Sequence, residues 1–311
     1  MKSYFFPAHL VLSRIRKSQH NRGPYAGTLF MVPRENEESV RVRLYRPAGR
    51  PVVDLPVLFN IHGGGWIFGD CEGVDLQSQY LANHLGCFVV NIDYRLLDEK
   101  PFYYPQNEVV DTVEFFLTNA KRFRIDPEKA ALAGYSAGGE IVAGAAMLLR
   151  DRGVKLCAQI LGYPFLDFVD FDFASYSGIY GFSAKLFNWF SRSVLFESLP
   201  PHDPVLSPGN ADISKLKGLA PAVIISCGAG DHLMPQAEIY ADRLSEAGVH
   251  AVYRMYPAAE HGFLEHNFKD DPAVFASESE QDRLMRDAVD FIASLDIFQI
   301  NGTKEIMVTP E

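Results

Sequence analysis

The chain has 311 residues, 48% hydrophobic and 22% charged, a balance typical of globular proteins that excludes disorder, collagen and coiled coil. Its formal net charge of −10 counts against a nucleic-acid partner, which needs clustered Lys and Arg, and against anionic membrane surfaces. Four cysteines (Cys71, Cys87, Cys157, Cys227) show no CxxC spacing, and three sit beside apolar runs; they predict free thiols in a reducing compartment, not metal ligands or disulfides.

The first apolar run, Tyr4 to Leu12, contains Pro7 and His9 and is followed by Arg14, Arg16 and Lys17. A secretory signal has the reverse order, with its positive cluster first. No stretch approaches the length of a membrane span. The expectation is a soluble, cytoplasmic protein.

From about residue 27 onward, β-rich runs alternate with helical patterns. Strands are predicted at 27–32, 40–46, 56–61, 87–92, 129–134, 156–161, 222–227 and 249–256. Several are continuous apolar runs, as buried parallel strands require. A helix is predicted over 105–121, opened by Pro105, with Val109, Val110, Val113, Phe116 and Leu117 on one side. Two more are predicted over 235–247, between Pro235 and Gly248, and over 272–295. This rhythm predicts the α/β class: one domain over 1–311 around a mostly parallel sheet of about eight strands, with helices on both faces. Active sites in such sheets gather beyond the carboxyl ends of the strands. Residues 165–200, dense in aromatics and without a strand of the series, predict a cap over that edge.

The strongest motif is Gly134-Tyr135-Ser136-Ala137-Gly138, a GxSxG pentapeptide after strand 129–134 and before a small-residue helix running from Glu140 to Leu149. A sharp strand-to-helix turn holds such a serine in strained backbone, and flanking glycines remove side chains that would clash. Its hydroxyl then projects at the sheet edge, beside the positive end of a helix. A tight turn with a capping serine is the bland reading of the same residues. The second motif, His62-Gly63-Gly64-Gly65-Trp66, follows strand 56–61. Glycines let backbone N–H groups approach a substrate oxygen, and donors at Gly63 and Gly64, joined by Ala137, would form an oxyanion hole. A phosphate-cradling loop is the rival there, but no P-loop lysine and no GxGxxG follows.

Chain order on this kind of sheet places the acid and then the histidine after the serine. Asp231 follows strand 222–227, in the loop after Gly228-Ala229-Gly230, whereas Asp242 and Glu246 lie on a helix face. Among later histidines, His232 adjoins the acid, His250 sits in a strand pattern and His266 lies a turn too far. His261, in the loop past strand 249–256 and before Gly262, is the predicted base.

At these residues the chain resembles the hormone-sensitive-lipase-like branch of the α/β-hydrolases, a family of bacterial and eukaryotic carboxylesterases. Besides HGGGW and GYSAGG, the likeness takes in Asp93-Tyr94-Arg95-Leu96, Tyr163-Pro164 with Asp167, Leu206-Ser207-Pro208, Asp231-His232-Leu233 and His261-Gly262-Phe263. It extends over most of residues 40–295. It implies an α/β-hydrolase fold, a Ser136–Asp231–His261 triad, an oxyanion hole of Gly63, Gly64 and Ala137, and a helical cap built from about 1–26 and 165–200. Three positions depart from the family pattern. Tyr135 stands where Asp or Thr is common, Pro235-Gln236 replaces an Asp-Glu pair, and only about 26 residues precede the first strand.

The expected activity is hydrolysis of small, short-acyl carboxylic esters by way of an acyl-enzyme, with no cofactor and no metal. Trp66, Tyr135 and Phe263 are the expected substrate-binding side chains. The partners are a small ester and water, with homo-oligomerisation left open. An arylformamidase-type amidohydrolase is the rival enzyme. A small-molecule receptor on a degenerate hydrolase scaffold is the rival outside enzymes, but retention of Ser136, Asp231 and His261 counts against it.

Overall fold

The computed structural model of the chain describes residues 23–49, 54–170, 200–228, 230–265 and 279–299. Eight strands form one sheet: β1 Thr28–Arg34, β2 Glu37–Tyr45, β3 Leu55–Ile61, β4 Phe88–Asp93, β5 Ile125–Tyr135, β6 Ala158–Gly162, β7 Ala222–Cys227 and β8 Ala251–Tyr256. Their order across the sheet is β1-β2-β4-β3-β5-β6-β7-β8. β2 pairs antiparallel with both β1 and β4, and every pairing from β4 to β8 is parallel. β6 and β7 are buried at every position, as apolar runs covered on both faces require.

Side chains alternate between two cores. Val57, Phe59 and Ile61 of β3 enter the first, beneath α2 (Tyr104–Thr118), α3 (Ala137–Asp151) and α4 (Met234–Glu246). Leu58 enters the second, beneath α1 (Asp75–Leu85) and α5 (Glu280–Ser294), with Tyr80, Leu81, Met285, Val289 and Ile292 packed there.

Two helix boundaries differ from the sequence reading. α2 stops at Thr118, where Asn119 leaves helical geometry at φ −102° and ψ +24° and its side-chain Nδ2 caps the Phe115 carbonyl at 2.8 Å. α5 starts at Glu280, where Ser279 and Asp282 form a capping box, and residues 272–278 of the expected helix lie outside those described. α1 was not expected, because its buried face is largely polar. Asp75 accepts the Ala26 and Gly27 N–H groups and the Tyr45 hydroxyl, while Asn60 donates to Gln77 and Ser78.

The cap expected over 165–200 falls mostly on residues outside those described, as do residues 1–22 and the tail beyond 299. Its described start packs inward. Phe165 and Phe168 are buried beside Trp66, with ring centroids 5.0 and 5.2 Å away.

Candidate active site

Ser136 lies between the last residue of β5 and the first of α3, at φ +53°, a left-handed conformation that costs a non-glycine residue about 1–3 kcal/mol. The surroundings fix it there. Its N–H donates to Gly162 O at 2.9 Å, and its carbonyl accepts from Gly139 N and Phe165 N. The glycines of the pentapeptide are needed for close approach: a Cβ on Gly134 would sit 2.2 Å from Gly138 O, and one on Gly138 would sit 2.4 Å from Ile61 O. The nucleophile turn and the glycine loop after β3 are therefore packed backbone on backbone.

Three distant side chains meet at this edge. His261 Nε2 lies 2.9 Å from Ser136 Oγ, and its Nδ1 lies 2.8 Å from Asp231 Oδ2. Asp231 Oδ1 accepts the Leu233 N–H at 2.9 Å, and the Asp231 N–H donates to Gly228 O. Burial opposes ionisation of Asp231, yet the hydrogen bond and charge of His261, with the Leu233 N–H, outweigh it and hold the carboxyl below its ordinary value. A carboxylate fixed in this way aligns the imidazole so that Nε2 faces the serine.

The Gln236 that departs from the family pattern links α4 to the 166–167 backbone. Its Oε1 accepts from Leu166 N and Asp167 N at 2.7 and 3.2 Å, and its Nε2 donates to Asp167 O. Its amide thus ties α4 to the segment that follows β6.

The glycine loop corrects one expectation. Gly63 N–H is already engaged: it donates to Glu265 Oε1 at 2.7 Å, so it is not an open oxyanion donor. The N–H groups of Gly64, Gly65 and Ala137 make no hydrogen bond among the described residues. Gly64 has φ +118°, which only glycine adopts readily, and a Cβ there would strike Phe68 O at 2.2 Å. The open donors are therefore at Gly64, Gly65 and Ala137, one residue further along the loop than the motif suggested.

The expected substrate-contacting rings are a second correction. Trp66 is 2% exposed, its Nε1 donating to Glu140 Oε2 at 2.9 Å and its ring packed against Phe102, Phe165 and Phe168. Phe263 is fully buried beside Tyr163 and Tyr256, and Tyr135 is buried near Tyr163. All three rings act as supports within the fold, because burying large aromatic area stabilises the loops more than exposing it would.

Two residues to which the sequence reading gave no role at the site matter here. Glu140 accepts from Trp66 Nε1 and from Gln106 Nε2 at 2.9 Å, and burial pushes its carboxyl up to about 8, an effect these donors only partly offset. Glu265, on the turn Phe263–Glu265 just past His261, reaches back to Gly63. Its place four residues past His261, in the same short loop, was a usable signal.

Two described groups bring three potential metal ligands within 4.8 Å of one another: Cys227, Asp231 and His261, and separately Cys71, Glu72 and Asp93. In the first, the donor from His261 occupies the Asp231 carboxylate. In the second, Arg41 bonds Glu72 and Asp93 and Arg43 bonds Glu72, which neutralises the acids. Among the described residues, no helix is long and apolar enough to cross a membrane.

A mostly parallel eight-stranded sheet carrying a serine at a strand–turn–helix junction is the architecture of an α/β hydrolase, and the family model for that fold matches residues 58–265. An arylesterase of Saccharolobus solfataricus is 31% identical over 250 residues, 78% of this chain and 79% of its own length. The carboxylesterase NlhH of Mycobacterium tuberculosis is 33% identical over 240 residues, covering 72% of this chain and 71% of its own. The solved hyperthermophilic esterase of Pyrobaculum calidifontis superposes with a TM-score of 0.74 at 30% identity, over 94% of this chain and 90% of that one. The chain belongs to the α/β-hydrolase family, in its hormone-sensitive-lipase-like carboxylesterase branch.

Proposed function

We propose that this carboxylesterase-type hydrolase cleaves small carboxylic esters through an acyl-enzyme on Ser136. One observation carries the reading: the unbroken path from Ser136 Oγ to His261 Nε2 (2.9 Å) and from His261 Nδ1 to Asp231 Oδ2 (2.8 Å). His261 Nε2 takes the hydroxyl proton as Oγ attacks the ester carbonyl carbon. The carbonyl oxygen becomes an oxyanion, held by the open N–H groups of Gly64, Gly65 and Ala137. His261 then gives its proton to the leaving alkoxide, and the alcohol departs. Water repeats the cycle: His261 takes its proton, the hydroxide attacks the acyl carbon, and Oγ leaves with that proton as the acid is released. Asp231 keeps the Nδ1 proton in place and stabilises the imidazolium between steps.

Esterase and arylesterase relatives support an ester as substrate. A preference for short acyl groups is part of the same proposal, and chain-length profiling tests it.

Ser136→Ala is the test. Hydrolysis of p-nitrophenyl acetate or butyrate should fall by about 10⁵-fold or more in kcat, and labelling by a fluorophosphonate probe should vanish. Retention of the parent rate would refute the scheme. Rates on acetyl through decanoyl esters should decline with chain length; a maximum at the longest acyl group would refute the short-acyl preference.

A further inference from the structure

We infer that Glu265 is a positioning residue of the oxyanion loop, holding the first peptide plane of the His62–Gly65 turn from the far side of the active site. This rests on the proposed reaction at Ser136, because it concerns the donors that would bind the oxyanion.

The loop leaves β3 at Ile61, where the regular ladder ends and each peptide unit needs a partner of its own. A peptide unit is planar, with C=O and N–H pointing opposite ways, so fixing one group fixes the direction of the other. The unit joining His62 to Gly63 is held at both ends. Tyr94 Oη donates to His62 O at 3.2 Å, and Gly63 N–H donates to Glu265 Oε1 at 2.7 Å. The next unit is held through the Gly63 carbonyl, which lies 2.7 Å from His62 Nδ1, so the Gly64 N–H must point the other way. The unit after that is held through the Gly64 carbonyl, which accepts from Ile67 N and Phe68 N, and this aims the Gly65 N–H. Three successive planes are thereby clamped, leaving the Gly64 and Gly65 donors open.

Glu265 differs from the other clamps in where it comes from. It lies 202 residues away from Gly63 in sequence, four residues past His261, on the turn Phe263–Glu265. Its second oxygen accepts the Tyr163 hydroxyl at 3.2 Å, and the Tyr163 ring centroid is 4.7 Å from that of His261. One carboxylate therefore joins the segment carrying the base to the loop carrying the oxyanion donors and ties both to the end of β6. Close packing leaves it little alternative: a Cβ on Gly63 would meet Glu265 Oε2 at 2.8 Å and Tyr135 O at 3.0 Å. Burial raises the Glu265 carboxyl, against the pull of the Gly63 N–H, His62, Tyr163 and His261. Displacing a peptide plane by about 1 Å is enough to cost roughly 100-fold in rate.

Glu265→Gln and Glu265→Ala separate this role from plain structural support. Gln keeps an oxygen for the Gly63 N–H and an amide that can donate to the Tyr163 oxygen, while Ala removes both contacts. Active protein is counted by fluorophosphonate titration, so partial misfolding does not enter the rate. Per active site, Glu265→Ala should lose roughly 100-fold in kcat on p-nitrophenyl acetate with little change in KM, and Glu265→Gln should stay within about tenfold of the parent. If Ala keeps the parent kcat per titrated site, or if a folded Gln variant is as impaired as Ala, the inference is overturned. If Ala does not fold, the Gln variant decides: retained kcat supports the acceptor role and a loss of roughly 100-fold refutes it. Failure of the underlying reaction scheme would look different, because the parent itself would then not be titrated by the fluorophosphonate.

Discussion

Asp231→Asn alters the proton relay at a single atom, and the structure dictates which way the new amide must turn. Asp231 Oδ1 accepts the Leu233 N–H at 2.9 Å, and an amide nitrogen cannot accept there, so the Asn oxygen keeps that position. The amide NH₂ then replaces Oδ2, which lies 2.8 Å from His261 Nδ1. A donor at that place requires Nδ1 to accept, which moves the imidazole proton to Nε2, opposite the Ser136 hydroxyl. His261 is then the wrong tautomer to take a proton, although no side chain has moved. The same substitution in serine-protease triads lowers kcat by about 10⁴, which corresponds to about 5 kcal/mol of barrier. The expected result is a loss of this order in kcat on p-nitrophenyl acetate near neutral pH, with a thermal unfolding curve close to that of the parent. A folded Asp231→Asn protein within tenfold of the parent would show that His261 does not depend on Asp231 for its proton placement.

Two further predictions concern stability. Glu72 is fully buried and ion-paired with Arg41 and Arg43, which outweigh its desolvation and lower its carboxyl to about 2. Its contribution is present above the ordinary carboxylate value and is lost as pH falls toward 2, and Glu72→Ala, leaving Arg43 without a carboxylate and Arg41 with Asp93 alone, should cost about 3 kcal/mol in urea unfolding; an unchanged midpoint would contradict this. Glu140 behaves in the opposite sense, because its folded value of about 8 lies above the unfolded one: the folded chain retains a proton the unfolded chain releases, and stability declines as pH rises toward 8. Glu140→Gln removes that slope, so its melting temperature should gain on the parent's between about pH 5 and about pH 8; parallel curves would refute the assignment.

Much of the fold is legible in the sequence for a physical reason. Strands covered on both faces must be apolar throughout, and segments such as Ala222–Cys227 leave little doubt about what they are. α1 escapes the same reading because Asp75, Gln77 and Ser78 face inward to meet hydrogen-bond partners on other elements, which erases the apolar stripe. The positions of Ser136, Asp231 and His261 are readable because each lies just past a strand, at the edge where parallel strands deliver their loops. The open N–H groups of the glycine loop are harder to read. A run of three glycines says that backbone approaches closely, but which N–H stays open depends on a carboxylate far along the chain, at Glu265. Trp66 and Phe263 mislead for a related reason: an aromatic beside a motif serves equally well as wall or as buttress, and only the packing decides.

The placement of α5 bears on how the chain reaches its folded state during synthesis. The sheet face that receives Leu58, Val89, Ile160 and Val223 is sealed by Met285, Ala288, Val289, Ile292, Ile297 and Phe298 together with α1. A ribosome must therefore emit the polypeptide past residue 298 before that face is fully sealed, although all eight strands have appeared by Tyr256. In that interval α1 covers part of the face and the area beneath α5 stays exposed, the kind of apolar surface that chaperones occupy and that otherwise drives aggregation.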